Sequence, residues 1–114
     1  MTYYLRRQSK KRQVIEKELR KIEKELDGDP RNHWCFFFPQ LPKCEYHHLV
    51  PKSQSTLLIA SRENLIPVSR KAHDILTHGK LEDIKKLPHL DKMLERIKKL
   101  DEGYYNRLKL KFDS

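Results

Sequence analysis

The sequence has only two cysteines and three glycines in 114 residues, and it contains no long uninterrupted apolar run. Because a membrane-spanning helix needs about 20 mostly apolar residues, we expect neither a span nor a membrane partner. The first residues are charged and lack the apolar core of a secretory signal, so we expect an intracellular, cytoplasmic protein. Cys35 and Cys44 are then expected to be reduced thiols rather than a disulfide.

Acidic residues are in the minority, since 16 Asp and Glu stand against 25 Lys and Arg for a formal net charge of +9. The excess is spread along the chain and is densest in "LRRQSKKR" (residues 5–12), which contains no acid. Such a surplus suits a polyanionic partner, through phosphate contacts and release of counterions. The alternative interpretation is a set of basic helices that are kept soluble by their charge.

The three glycines Gly28, Gly79 and Gly103 each follow a helical pattern, and helices commonly end at glycine. Ser69, a residue type that caps helix N-termini, and Gly79 bracket a predicted short helix. A further amphipathic helix is predicted after Pro88. The helix predicted before Gly28 has one apolar stripe at steps of four, three and four, formed by Ile15, Leu19, Ile22 and Leu26.

The sequence pattern in the middle of the chain is typical of short strands. "EYHHLV" (45–50) and "STLLIA" (55–60) are apolar runs of strand length, and the turn-like "PKSQ" between them predicts a β-hairpin. "SRENLIPV" (61–68) is interpreted as an irregular crossover, and "YYNRLKLKF" (104–112) as either a helix or an edge strand. The whole therefore predicts one α+β domain.

Four residues in this region form a spaced set. His47 and His48 are adjacent, Asn64 follows His48 by 16 residues, and His73 follows Asn64 by nine. The order and spacing in "YHHLVPKS" and "ENLIPVSRKAHDILTHGK" resemble the HNH endonucleases, and the basic helix before them is similar to small phage and bacterial HNH proteins.

The resemblance implies a ββα-metal (HNH, His-Me finger) core at 35–80, between a basic helix at 1–34 and a helical extension at 81–114. It implies a metal-dependent DNA endonuclease that hydrolyses phosphodiester bonds. His48 would be the general base, and Asn64 would orient it through a backbone contact or reach the ion. The ligands of one divalent ion (Mg, Mn, Ni or Zn) would be His47 and His73, with His78 as a further candidate.

Elementary chemistry agrees with these roles. Phosphodiester hydrolysis needs an attacking water, a proton acceptor and positive charge at the leaving oxygen. A neutral imidazole accepts a proton near pH 7, because the ordinary pKa of histidine is about 6.5. Adjacent strand residues point to opposite faces, however, so His47 and His48 can share a site only where the strand bulges or ends. Pro51 favours an early end, since proline cannot donate to a central ladder.

The sequence departs from the family pattern in two places. Some members carry a histidine four residues after the helical one, whereas His78 follows His73 by five and lies about 140° away around a helix. Many members also hold a structural zinc ion through two Cys-x-x-Cys pairs, which are incomplete here. We expect no structural zinc, although Cys35, Cys44 and a histidine could form a partial site. We expect packing of four aromatic residues to replace the structural zinc site, namely Trp34, Phe36, Phe37 and Phe38.

DNA is the expected partner, with a homodimer or a larger phage or bacterial complex as further possibilities. The residues expected to contact DNA are Arg6, Arg7, Lys10, Lys11, Arg12, Lys52, Arg70 and Lys71. One alternative function is a catalytically degenerate HNH-fold module that binds DNA or protein. Another is a helical interaction protein whose first helix pairs with a second copy.

Overall fold

The computed structural model of the chain describes residues 10–113, and it combines helices with one two-stranded antiparallel sheet. The general prediction of an α+β protein is confirmed. Short 3₁₀ turns lie at Pro30–His33 and Arg62–Asn64. The main elements in chain order are α1 (Lys10–Leu26), β1 (Glu45–His48), β2 (Leu65–Val68), α2 (Arg70–His78), α3 (Leu81–Lys85), α4 (Leu90–Leu100) and α5 (Glu102–Asp113).

Helix α1 forms where the apolar stripe predicts it, and its stripe faces the sheet and the loop that follows β1. Leu19 is buried in a small cluster with Tyr46, Ile59 and Leu65, and the other stripe residues are half-buried against the same cluster. An ion pair between Arg62 and Glu25 joins the 3₁₀ turn before β2 to the last turn of α1. The helix is therefore docked on the domain rather than separate from it.

The sheet exists, but its second strand is not the predicted one. Tyr46 of β1 lies opposite Pro67 of β2, and residues 55–60 form turns and bends instead. The register explains why the ladder tolerates Pro67, which has no N–H to donate. Leu49 N–H donates to the carbonyl of Asn64 at 2.9 Å, so these two residues form a hydrogen-bonded pair. Hydrogen-bonded pairs alternate along an antiparallel ladder, so Pro67 occupies a position that needs no N–H towards β1. All four residues of β2 are buried, which leaves no alternation to read.

Helix α2 has the predicted bounds and the predicted ends. The Ser69 hydroxyl accepts from Ala72 N–H at 3.2 Å, which caps the first turn. Gly79 N–H donates to the carbonyl of Ile75 at 2.9 Å, which closes the last turn. A Cβ at residue 79 would collide with that same carbonyl oxygen, so only glycine fits this close approach. Helix α2 packs against the sheet, since it contacts β2 and its His73 side chain meets Glu45 of β1.

The C-terminal part is helical throughout, and this corrects one expectation. Gly103 does not end a helix, because it lies in the first turn of α5. The break comes at Asp101, which has extended backbone angles and whose carboxylate accepts from Tyr104 N–H at 3.0 Å. The segment 104–112 is therefore helix rather than edge strand. Helix α4 begins after Pro88 as predicted, and the short helix α3 was not predicted.

The main core lies between β2, α2 and α4, and it also holds part of the aromatic run. Phe37 is fully buried, and Phe36 and Phe38 are half-buried against the core, as expected. Trp34 is 50% exposed and does not join them, contrary to the expectation. Both cysteines are free thiols, Cys35 buried in this core and Cys44 exposed. Among residues 10–113, no helix is long and apolar enough to cross a membrane.

Candidate functional site: a histidine cleft

Three of the histidines singled out in the sequence line one open cleft of about 570 Å³, which we call the histidine cleft. Two come from the end of β1 and one from α2, so two elements that are distant in the sequence meet here. The lining residues are Leu19, Glu23, Glu45, Tyr46, His47, His48, Leu49, Pro51, Lys52, His73, Leu76 and Tyr104.

His47 and His48 reach the cleft together because β1 ends at His48. Along the strand, Glu45 and His47 lie on the face towards α2, and Tyr46 and His48 lie on the face towards the loop. The contacts agree, since Glu45 touches a side chain of α2 and His48 touches the loop. The backbone then turns away into the loop at residues 49–64, so both rings border one opening. No bulge is needed, and the condition set by the sequence is met by the strand end.

Burial determines the charge state of His47. Its pKa is lowered from 6.5 to about 4, mainly by loss of solvent and to a lesser extent by the neighbouring His73 and His48. The imidazole of His47 is therefore neutral at pH 7, with a lone pair free on one ring nitrogen. A neutral imidazole is the form that binds metal ions or accepts protons.

His48 is held by the loop that follows it. Its Nε2 lies 2.9 Å from the carbonyl oxygen of Ile59, and because a carbonyl can only accept, Nε2 is the protonated nitrogen. The unprotonated nitrogen of the neutral ring is then Nδ1. Burial lowers the pKa of His48, while the bond to Ile59 acts in the opposite direction. The result is a neutral, oriented ring with one free lone pair.

Asn64 is fully buried and holds the two ends of the loop together. Its Oδ1 accepts from Val50 N–H at 2.7 Å. Its Nδ2 donates to the carbonyl of Val50 at 3.0 Å and to that of Leu58 at 2.9 Å. Both amide hydrogens are thus used inside the loop, and Leu58 directly precedes Ile59, which holds His48. Asn64 does not line the histidine cleft, so its connection to His48 passes through the loop backbone.

His73 projects from the first turns of α2 and meets Glu45, which sequence reasoning missed. Nε2 of His73 lies 3.1 Å from a carboxylate oxygen of Glu45, a half-exposed contact at the mouth of the cleft. The alternation of strand side chains could have identified Glu45, because it lies two residues before His47 and shares its face. The cleft thus offers a carboxylate oxygen beside two imidazoles.

Tyr104 is the second missed residue, and it belongs to α5. It is half-buried, it lines the cleft, and its pKa is raised by burial. Nothing in the local sequence places Tyr104 in the cleft, because its position depends on the packing of α5 on α4.

His78 lies elsewhere. It is the last residue of an unbroken α2, it is exposed, and it is not among the residues that line the histidine cleft. This placement agrees with the angle of about 140° that separates it from His73 on a regular helix. The structure thus brings together His47, His48 and His73 and leaves His78 apart.

The cations expected to contact DNA are dispersed. Lys52 lines the cleft, and its Nζ lies 3.8 Å from a carboxylate oxygen of Glu16. The same oxygen lies 3.2 Å from Nε of Arg12. Arg70 is exposed at the start of α2, while the ammonium of Lys71 lies 4.6 Å from the centre of the Phe38 ring. Arg6 and Arg7 lie outside the described residues, and the exposed Lys10 and Lys11 lie in the first turn of α1.

The donors of the cleft suit a divalent transition metal, which prefers imidazole nitrogens combined with carboxylate oxygen. His47 satisfies the further requirement that a ligand be deprotonated. Within residues 10–113, no three His, Cys, Asp or Glu side chains already converge into a metal-binding group. The donor types therefore fit, and two of the donors, Glu45 and His73, already lie in contact.

Comparison of the chain with known protein families, characterised proteins and solved structures finds no match.

Proposed function

We propose that this chain is a metal-dependent endonuclease of the HNH, or ββα-metal, type that hydrolyses phosphodiester bonds in DNA. One observation carries the proposal: His47, His48 and His73 line a single cleft although the sequence separates the pair from His73 by a long loop and a strand. The element order supports it, since β1, the loop, β2 and α2 follow one another as the resemblance implies.

His48 is proposed as the general base. Its Nδ1 carries the free lone pair, because Nε2 donates to the carbonyl of Ile59. Burial lowers its pKa, so the ring is unprotonated at neutral pH and can accept a proton from an attacking water. Asn64 is proposed as a positioning residue, because its bond to Leu58 fixes the strip of backbone that holds His48.

His47 and His73 are proposed to hold a divalent ion, with Glu45 supplying an oxygen or orienting the His73 ring. Bound there, such an ion supplies positive charge that stabilises the leaving oxygen. The buried, neutral His47 provides a lone pair at physiological pH. The contact between Glu45 and His73 fixes one imidazole relative to the strand, which is the usual role of a carboxylate beside a ligand histidine.

Contacts to the DNA backbone are proposed for cations at the mouth of the cleft and at the nearby helix start. Lys52 lines the cleft itself, and Arg70 is exposed where α2 begins. Phosphate contacts of this kind position the duplex without reading its sequence.

The test is cleavage of supercoiled plasmid with Mg²⁺, Mn²⁺, Ni²⁺ or Zn²⁺. His48→Ala should abolish cleavage while retaining the fold and Mn²⁺ binding, because this residue is not a proposed ligand. His73→Ala should lose both cleavage and Mn²⁺ binding. The matched control is His89→Asn, an exposed histidine outside the cleft whose left-handed backbone (φ 62°) asparagine tolerates.

If no ion supports cleavage, or if His48→Ala cuts as fast as the wild type, the proposed catalytic role is wrong. Sequence-independent DNA binding that persists in His48→Ala, in His73→Ala and in the presence of a chelator would instead identify a non-catalytic binding module.

A further inference from the structure

An apolar groove of about 530 Å³ lies away from the histidine cleft, between α1 and the turn at residues 56–60. Two large apolar side chains at this groove face solvent, since Leu57 is 91% exposed and Val14 is 62% exposed. Its other lining residues are Lys11, Ile15, Glu18, Thr56 and Ala60. Contiguous exposed apolar surface of this kind commonly marks an interaction site.

The helical side of the groove has a pattern that complements itself. Lys11, Val14, Ile15 and Glu18 are spaced by three, one and three residues, so they share one face of α1. A cation stands at one end of this face and an anion at the other, with the apolar pair in the middle. Within residues 10–113, neither Lys11 nor Glu18 takes part in an ion pair.

The self-complementary pattern on α1 indicates that a second copy of the chain occupies the groove. If a second α1 lies antiparallel across a two-fold axis between residues 14 and 15, Lys11 of each copy meets Glu18 of the other. The same arrangement places Val14 against Ile15 of the other copy and brings Leu57 to the edge of the contact. A two-fold interface uses one patch twice and must therefore be self-complementary, as this face is.

We infer that the groove formed by α1 and residues 56–60 is a self-association surface, which pairs two copies of the chain through antiparallel α1 helices. Lys11 then serves this interface rather than DNA.

The surface has a direct path to the histidine cleft. Leu57 is followed by Leu58, whose carbonyl accepts from Asn64, and by Ile59, whose carbonyl holds His48. A partner packed on Leu57 therefore lies next to the backbone that orients the proposed base. A consequence, which depends on the proposed nuclease function, is that a dimer presents two clefts and can cut both strands of a duplex.

The experiment is sedimentation velocity of the full chain from about 1 to about 100 μM, a range that covers micromolar dissociation constants. We expect a concentration-dependent dimer in the wild type. Leu57→Glu should raise the dissociation constant at least about a hundredfold, because it replaces apolar surface by a charge at the edge of the contact in both copies. The matched control Leu110→Glu, at a leucine that is 75% exposed on α5, should not change it.

A charge exchange tests whether the occupant is a second copy in this register. Lys11→Glu and Glu18→Lys should each weaken the dimer about tenfold, because each change creates two like-charge contacts per dimer. The double variant should restore the wild-type dissociation constant. A monomer throughout the concentration range, a dimer that survives Leu57→Glu, or a double variant that stays as weak as the singles overturns the inference.

Cleavage gives a separate readout. If the chain is a nuclease, Leu57→Glu should still nick supercoiled plasmid but should no longer linearise it in one encounter. If no variant cleaves, the proposed function fails while the sedimentation result still decides the question of self-association.

Discussion

Replacing Asn64 by alanine removes three hydrogen bonds from the interior of the loop between β1 and β2. The bonds measure 2.7 Å from Val50 N–H, 3.0 Å to the Val50 carbonyl and 2.9 Å to the Leu58 carbonyl. The Asn64 side chain is fully buried, so water does not replace these partners unless the loop opens. Each buried polar group left without a partner costs about 1–3 kcal/mol.

Partial relaxation and entry of water reduce this sum, so we expect Asn64→Ala to lower the free energy of unfolding by roughly 3–5 kcal/mol. A domain of this size has about 5–15 kcal/mol in total, so the loss is a large fraction of its stability. The control is Asn32→Ala, because the half-buried Asn32 amide makes one such bond, to the Leu26 carbonyl at 2.9 Å. One bond predicts a loss of about 1 kcal/mol.

The assay is urea unfolding followed by far-ultraviolet circular dichroism and by the fluorescence of Trp34, the single tryptophan. The two probes should give the same midpoint for each variant. A loss below about 1 kcal/mol for Asn64→Ala, or one no larger than that of Asn32→Ala, would refute the view that Asn64 closes the loop.

Three further predictions concern the end of α2, the Asp27 carboxylate and the Lys52 side chain. Gly79→Ala should destabilise the chain by roughly 1–3 kcal/mol in urea unfolding, since its Cβ collides with the Ile75 carbonyl; Gly103→Ala, whose nearest neighbour would be 3.5 Å away, is the matched control and should cost nothing. Hydrogen bonds from Lys43 and Tyr46 lower the pKa of Asp27, so its stabilising effect is present above the unfolded pKa of about 3.9 and is lost as the pH falls through the lower folded pKa. The stability difference between wild type and Asp27→Asn should therefore shrink below about pH 4, and an unchanged difference at pH 2 would contradict it. Lys52→Ala should weaken DNA binding and reduce the slope of log K against log salt by about one, and an unchanged slope would remove Lys52 from the DNA contacts.

The helices were largely readable from the sequence, because their signals are local. The apolar steps of α1 and the pair Ser69 and Gly79 around α2 each depend on residues within a few turns. Gly103 was misleading because Asp101 ends one helix and caps the next, and the cap lies in the carboxylate contact to Tyr104 N–H rather than in a glycine.

The sequence does not predict β2, because its complete burial and Pro67 both remove the usual signals of a strand. All four residues of β2 are buried, so the run has no polar alternation, and Pro67 resembles a strand breaker. Only the register with β1 shows that Pro67 faces Tyr46 at a position where no N–H is required. The histidines of the cleft could be chosen because their order and spacing resemble those of the HNH endonucleases. Tyr104 could not be chosen, since its place depends on how α5 packs on α4.

The central claim is that His47 and His73 hold one divalent ion beside His48, and a crystal soaked with Mn²⁺ tests it most directly. The account predicts one anomalous-scattering peak in the histidine cleft, with ring nitrogens of His47 and His73 both at about 2.0–2.3 Å from it. It further predicts that the ring of His48 remains unligated and bonded to Ile59. A cleft without a peak, or an ion bound by one of the two histidines alone, would contradict the account.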